Sequence, residues 1–103
     1  MDRIVVQIPL GEGTDFDQLI HIEDALNREF LGATAVTVSG HDLDGERFSI
    51  YIEVKTWEPA LSQAMKVLGE LRVLEQATVA LAAGEAQTYQ VVWPDSHAGG
   101  SAA

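Results

Sequence analysis

The chain contains no cysteine, which excludes disulfide bonds, thiolate chemistry and cysteine-based metal sites. Basic residues are also scarce, since 6 lysines and arginines stand against 16 aspartates and glutamates, a formal net charge of −10. A surface of that sign repels nucleic-acid phosphates and anionic membranes, which proteins bind through Lys and Arg. No apolar run approaches the ~20 residues that span a bilayer. We therefore expect protein partners, including a second copy of the chain, and neither nucleic acid nor membrane.

What the composition does contain is enough apolar material for a core. The 103 residues are 47% hydrophobic, as in a single globular domain rather than a disordered chain. Residues 1–13 lack the basic start and the longer apolar core of a signal peptide, so we expect a cytoplasmic protein of bacterial type. We predict one domain over residues 1–94 and a frayed tail over residues 95–103, which are mostly small and polar.

The clearest structural pattern lies between residues 47 and 54. Every second residue is apolar there, which is typical of a strand buried on one face. Val36 and Val38 alternate with polar residues just before it and predict a partner strand. The polar, glycine-bounded segment 40–46 between the two predicts the loop of a β-hairpin. The residues expected to face the core in the second strand are Phe48, Ile50, Ile52 and Val54.

Two helices flank this hairpin in the sequence. Residues 15–31 carry an apolar stripe that includes Phe16, with Thr14 as the expected N-cap and Gly32 as the left-handed closing residue. The second helix follows Thr56, and its apolar residues repeat at spacings of three and four. Gly69 costs roughly 1 kcal/mol relative to alanine in a helix interior, so this helix is expected to fray or end early.

Three further strands complete the prediction. Residues 3–10 alternate and read as a central strand, and residues 88–93 form another. Residues 76–83 suit either helix or strand, and we favour a strand that pairs with 88–93. The order is β-α-β-β-α-β with an additional C-terminal strand. Two right-handed crossovers then give a ferredoxin-like α+β fold, with two helices on one face of an antiparallel sheet.

The segment 40–46 is the only concentration of groups able to do chemistry, because it combines one imidazole with three carboxylates. Asp42 and Asp44 before Gly45 match part of a calcium loop, but the glycine comes too early for an EF-hand. No nucleophile is identifiable by spacing. We therefore predict no catalytic residue and no cofactor. A solvated turn is the simpler interpretation, and a divalent-metal, small-molecule or proton-transfer site is the alternative. Its candidate residues are His41, Asp42, Asp44 and Glu46.

The face of the sheet away from the helices is the other candidate site. The alternation places mixed rather than strongly polar residues on it, so a partner or another sheet could pack there. Each tryptophan can be interpreted either as a lid that covers the edge of the core or as an anchor of an interface with a partner. The residues expected on the open face are Val5, Gln7, Thr37, Ser39, Ser49, Tyr51 and Glu53. The interface candidates are Val5, Tyr51, Glu53, Trp57 and Trp93.

Residues 10–54 contain LG, DF, IEDAL and GHD in that order. They resemble a type of small, acidic, uncharacterised bacterial protein in which an LG…DF…LEDAL helix leads to a GHD loop and an apolar third strand. The resemblance covers less than half of the chain and implies the fold and a bacterial origin, but no activity. Small acidic ferredoxin-like proteins also resemble some toxin-immunity proteins, which mask a basic toxin.

The function expected from the sequence is a non-enzymatic protein-interaction module. It would be either a homodimer through the open sheet face or an immunity-like binder of a basic partner. The alternative is a small-molecule or divalent-metal binding protein, or an enzyme, that uses residues 40–46.

Overall fold

The computed structural model describes residues 2–11, 15–84 and 88–94. They form an α+β fold in which two helices accompany a five-stranded, fully antiparallel sheet of order β2-β3-β1-β4-β5. The predicted tail, residues 95–103, lies outside the described residues. The elements are β1 (Asp2–Pro9), α1 (Phe16–Glu29), β2 (Val36–Leu43), β3 (Arg47–Val54), α2 (Trp57–Glu70), β4 (Thr78–Ala82) and β5 (Gln90–Trp93).

The core lies between the sheet and the helices, as the alternation predicts. In the central pair of strands, Ile4 lies opposite Ile52 and Val6 opposite Ile50, and all four side chains are fully buried. The two helices contact each other and contribute to the same buried cluster. Their buried residues are Leu19, Ile22 and Leu26 of α1 and Ala60, Ala64, Val67 and Leu68 of α2.

The first helix is shorter than predicted at both ends. Its N-cap is Asp15, whose carboxylate accepts the backbone N–H of Asp17 at 2.9 Å, and Thr14 lies outside the described residues. The prediction that Phe16 packs in the core is wrong. It is the first helical residue, and 54% of it remains exposed. The helix ends at Glu29, and Gly32 then adopts a φ of +86°, the predicted left-handed conformation.

The second helix and the last two strands follow the prediction more closely. Thr56 is the N-cap of α2, although its side chain makes no capping hydrogen bond. The helix does not end early at Gly69 but continues to Glu70. The ambiguous segment 76–83 contains β4, which pairs with β5 as predicted. Neither helix in the described part of the chain has the length and apolarity that a membrane span requires.

The hairpin between β2 and β3 differs from the prediction in a way that matters for the candidate site. β2 does not stop at Ser39 but continues to Leu43, so only residues 44–46 form the loop. The pairing register shifts between Val38 and Gly40, a β-bulge at which Gly40 has a φ of +145°. The extra residue reverses the alternation of side chains along the rest of the strand.

Candidate functional site

The open face of the sheet is built from the residues of each strand that alternate with the core residues. Its centre is lined by small side chains that are nearly inaccessible, although neither of the two described helices covers them. Val5, for example, is only 4% exposed between its cross-strand neighbours Tyr51 and Ala80. The buried residues of this centre are Val5, Ser49, Ala80 and Ala82. As a result, a partner on this face would contact the longer side chains around them.

Those longer side chains form loose polar contacts across the strands. Arg3 donates from Nη1 to the Tyr89 hydroxyl at 3.4 Å, and its Nη2 lies 3.9 Å from Oε2 of Glu53. The hydrogen bond with Tyr89 is the main factor that raises the pKa of Arg3, and Glu53 adds to it. Gln7 donates to Oγ of Ser49 at 3.4 Å. Hydrogen bonds and ion pairs this long contribute little to stability, so a partner can replace those of the exposed Arg3 at low cost.

A cleft of about 410 Å³ opens at one end of this face, where β1, β3, β4 and β5 meet. Arg47 and Gln7 line it from one side, with Nη1 of Arg47 3.5 Å from Oε1 of Gln7. Thr78 and the half-exposed Val91 line the other side. The open face is therefore not flat, and it offers a recess beside its centre.

Charge is distributed unevenly between the two sides of the molecule. In the strands of the open face, Arg3 and Arg47 are matched by Glu53 and Asp42. Glu46 of the hairpin loop also lines the cleft at the end of this face, so the surface carries only a small net charge. Residues 15–46, which build α1 and β2, contain eight carboxylates against the single basic residue Arg28, a net −7 of the −10 of the chain. The acidic surplus thus lies mainly on α1, β2 and the hairpin loop.

Both tryptophans lie at the margin of the core. Trp57 begins α2 and Trp93 ends β5, and each is half-buried against the core cluster. The indole N–H of Trp93 donates to the backbone oxygen of Leu74 at 2.8 Å. This geometry matches the interpretation of a lid on the core edge.

The structure separates the four candidate residues of segment 40–46. Because of the bulge, His41 pairs with Ile50 and lies on the helix side, whereas Asp42 pairs with Ser49 on the open face. Nδ1 of His41 lies 2.9 Å from both carboxylate oxygens of Glu23 in α1, and its ring rests 5.0 Å from that of Phe48. The contact with Glu23 could not be predicted from the sequence, because it depends on the bulge.

The other two candidates belong to the turn. Oδ1 of Asp44 accepts the backbone N–H groups of Glu46 at 2.7 Å and Arg47 at 2.8 Å. These two hydrogen bonds lower the pKa of Asp44, since they stabilise its charged form. Glu46 accepts the backbone N–H of Leu10 through its own backbone oxygen at 2.8 Å. In the described part of the chain, no three His, Asp or Glu side chains are placed to hold a metal ion together.

No protein-family model matches the chain, and no curated protein matches it.

Proposed function

We propose that this protein is a non-enzymatic interaction module with a ferredoxin-like fold that forms a homodimer through its open sheet face. The order β2-β3-β1-β4 of the first four strands supports the fold, because two interleaved β-α-β crossovers produce it. The fifth strand then extends the sheet beyond β4. Both helices pack on the other side, so association through the open face requires no rearrangement of the core.

The observation that best supports a dimer through the open face is the small net charge of that face. Two molecules of net charge −10 repel each other unless they meet through a surface that lacks the surplus. On the open face Arg3 and Arg47 offset Glu53 and Asp42. A face-to-face dimer also directs the acidic α1 of each copy outward. Tyr51, half-buried at the centre of β3, supplies the aromatic contact that interfaces favour.

The size of the face sets the expected strength of the dimer. Five strands at about 4.8 Å spacing, with four to eight residues each at about 3.3 Å, cover roughly 500 Å² per copy. Two copies would bury about 1,000 Å² together, just below the usual range of specific interfaces. We therefore expect a reversible dimer with a Kd of order micromolar.

Sedimentation equilibrium on the full chain tests this proposal. The expected result is a mass that rises from that of the 11.1 kDa monomer toward twice that value as the concentration increases. The transition should fall in about the 1–100 μM range. A mass that stays at the value of the monomer at high micromolar concentration would contradict the proposed dimer.

A matched pair of variants locates the interface. Tyr51→Asp places a new carboxylate on the open face of each copy, so it should raise the dimer Kd at least about tenfold. Gln63→Asp adds the same charge to an exposed position of α2 and should leave the Kd nearly unchanged. Circular dichroism of both variants checks that the fold is retained. Equal effects of the two substitutions would show that net charge, and not this face, controls association.

An immunity-like binder of a basic protein is the second candidate function. The net −7 carried by residues 15–46 favours it, because a basic partner would be attracted to α1 and β2. Of these carboxylates, Asp42 lies on the open face, whereas those of α1 lie on the other side of the sheet, so the two functions can coexist in one molecule. Binding to a basic partner should weaken as salt is added, since screening acts on exposed charges.

A further inference from the structure

Strand β2 forms one edge of the sheet and has only β3 as a neighbour within the described part of the chain. The backbone N–H of Asp44 donates to the backbone oxygen of Arg47, so the hydrogen-bonding groups of Asp44 point toward β3. Because these groups alternate in direction along a strand, the backbone N–H and C=O groups of Leu43 and His41 point away from β3. Edge strands are commonly protected by lysine or proline, and β2 contains neither. The bulge lies between Val38 and Gly40, and residues 41–43 beyond it form a half of the edge that pairs in regular register.

Exposed apolar side chains lie beside this regular half of the edge. Phe16 and Ile20, one turn apart on α1, are 54% and 36% exposed, and Leu43 at the end of β2 is 42% exposed. The contact between His41 and Glu23 places α1 next to β2. Leu43 follows His41 in β2, and Ile20 precedes Glu23 in α1. Since α1 runs antiparallel to β2, Leu43 and Ile20 lie on the same side of the His41–Glu23 contact. These three residues form an apolar strip along the edge, which we call the β2 strip.

The charge around the β2 strip determines which kind of partner fits it. Asp42 lies on the edge strand and Asp44 in the loop that follows, where its carboxylate accepts two backbone N–H groups. Asp17 is exposed in the first turn of α1. Two copies joined by their β2 edges would bring two net −7 segments together, so self-pairing is disfavoured. A basic segment would instead be attracted.

We propose that the β2 edge binds an extended, basic segment of another protein, which adds to the sheet as a sixth strand. The backbone of the segment would hydrogen-bond to His41 and Leu43, as in other cases of strand addition. Its apolar side chains would cover the β2 strip, and alternating lysines or arginines would face Asp42 on the open side. The inference rests on the second proposed function, the binding of a basic partner, and names its site and the form of its ligand.

A labelled peptide tests the inference directly. The probe is a fluorescein-labelled nine-residue peptide of alternating Lys and Val, titrated with the full chain and followed by fluorescence anisotropy. We expect saturable binding that weakens at least about fivefold between roughly 50 mM and 300 mM NaCl. The matched peptide of alternating Glu and Val should not bind. Absence of saturable binding of the Lys-Val peptide at high micromolar protein would overturn the inference.

A backbone-modified probe separates strand addition from simple charge attraction. The Lys-Val peptide with N-methyl groups on alternate residues keeps its charge, but it loses the N–H donors of one edge. Two such peptides are needed, one methylated at its odd-numbered residues and the other at its even-numbered residues, so that each edge of the peptide strand is blocked in one of them. At least one of them should bind about tenfold more weakly than the parent peptide. Unchanged binding of both would show attraction by charge alone and would overturn strand addition.

Variants of the protein locate the site. Replacement of Ile20 and Leu43 together by serine should weaken binding of the Lys-Val peptide about tenfold, since both side chains make apolar contacts with it. Both residues are exposed, so the fold should survive. Leu31→Ser is the control, because Leu31 is 84% exposed beyond the other end of α1. Equal loss in the two proteins, or no loss in either, would contradict the site.

The same variants distinguish this inference from the homodimer. The β2 strip is not part of the open face, so the double serine variant should sediment like the wild type at every concentration. If the double variant lost both peptide binding and dimerisation, the β2 edge would itself be the dimer contact, and both proposals would fall. Loss of peptide binding alone supports the inference.

Discussion

Ile50 and Tyr51 are adjacent in β3, but their side chains lie on opposite faces of the sheet. Ile50 is fully buried and belongs to the cluster formed by both helices and the sheet. Tyr51 is half-buried on the open face, across from Val5 of β1. The two residues therefore report separately on the core and on the proposed interface.

We expect Ile50→Ala to destabilise the protein by about 2–5 kcal/mol, since it removes buried methyl and methylene groups and leaves a cavity. Against a total stability of about 5–15 kcal/mol this is a large loss. Tyr51→Ala should cost less at concentrations where the protein is monomeric. Urea unfolding measures both values. A small loss of stability in Ile50→Ala together with a large loss in Tyr51→Ala would mean that Tyr51, and not Ile50, faces the core.

The concentration dependence of the same experiment is informative for the dimer. If Tyr51 lies in the interface, the cost of Tyr51→Ala should grow with protein concentration, because dissociation is then coupled to unfolding. The cost of Ile50→Ala should change little by comparison. A Tyr51→Ala effect that is the same at all concentrations would place Tyr51 outside any dimer contact.

At the scale of elements, the ends of the two helices are set by different backbone requirements. Gly32, just after α1, has a φ of +86°, and no heavy atom lies near the position that a Cβ would take. A larger residue there would be disfavoured by its backbone conformation and not by a clash. Gly69 lies within the last turn of α2, where a Cβ would make an ordinary contact of 3.9 Å with Cδ2 of Leu74.

The two glycines should therefore respond to alanine with opposite signs. Gly32→Ala should destabilise by about 1–2 kcal/mol, since the left-handed conformation is unfavourable for alanine. Gly69→Ala should stabilise by up to about 1 kcal/mol, because alanine is the better helix former. Thermal unfolding followed by circular dichroism measures both shifts. Destabilisation by Gly69→Ala would mean that the end of α2 requires glycine for its backbone.

For the whole molecule, the separation of charge between its two sides affects both stability and association. The open face carries only a small net charge, whereas α1, β2 and the hairpin loop carry most of the acidic surplus. Repulsion among those carboxylates opposes the folded state. Salt shortens the range of this repulsion from about 30 Å at 0.01 M to about 10 Å at 0.1 M.

We therefore expect the melting temperature to rise as NaCl is increased from about 10 mM to about 300 mM. The variant with Asp17→Asn and Asp24→Asn, both exposed positions of α1, should show a smaller rise because it carries less of the surplus. Differential scanning calorimetry at low protein concentration keeps dimerisation out of the comparison. A melting temperature that falls with salt would mean that attractive pairs such as Arg3–Glu53 outweigh the repulsion.

The identity and order of the helices and strands follow from local patterns in the sequence. Alternation from Phe48 to Val54 identifies a strand buried on one face, and this signal is local because side chains in any strand alternate with a period of two. The stripe of α1 and the left-handed Gly32 are local in the same sense. The antiparallel sheet with two helices could be predicted from these signals and the rules of connection.

The face of the sheet that each candidate side chain occupies depends instead on contacts between strands that are distant in the sequence. One extra residue at the bulge carries β2 on to Leu43 and turns His41 toward Glu23 instead of the open face. Val5 lies on the open face as predicted, but its cross-strand neighbours bury it. A bulge and the burial of a small residue depend on the strands alongside, which are distant in sequence. Local periodicity carries no information about them.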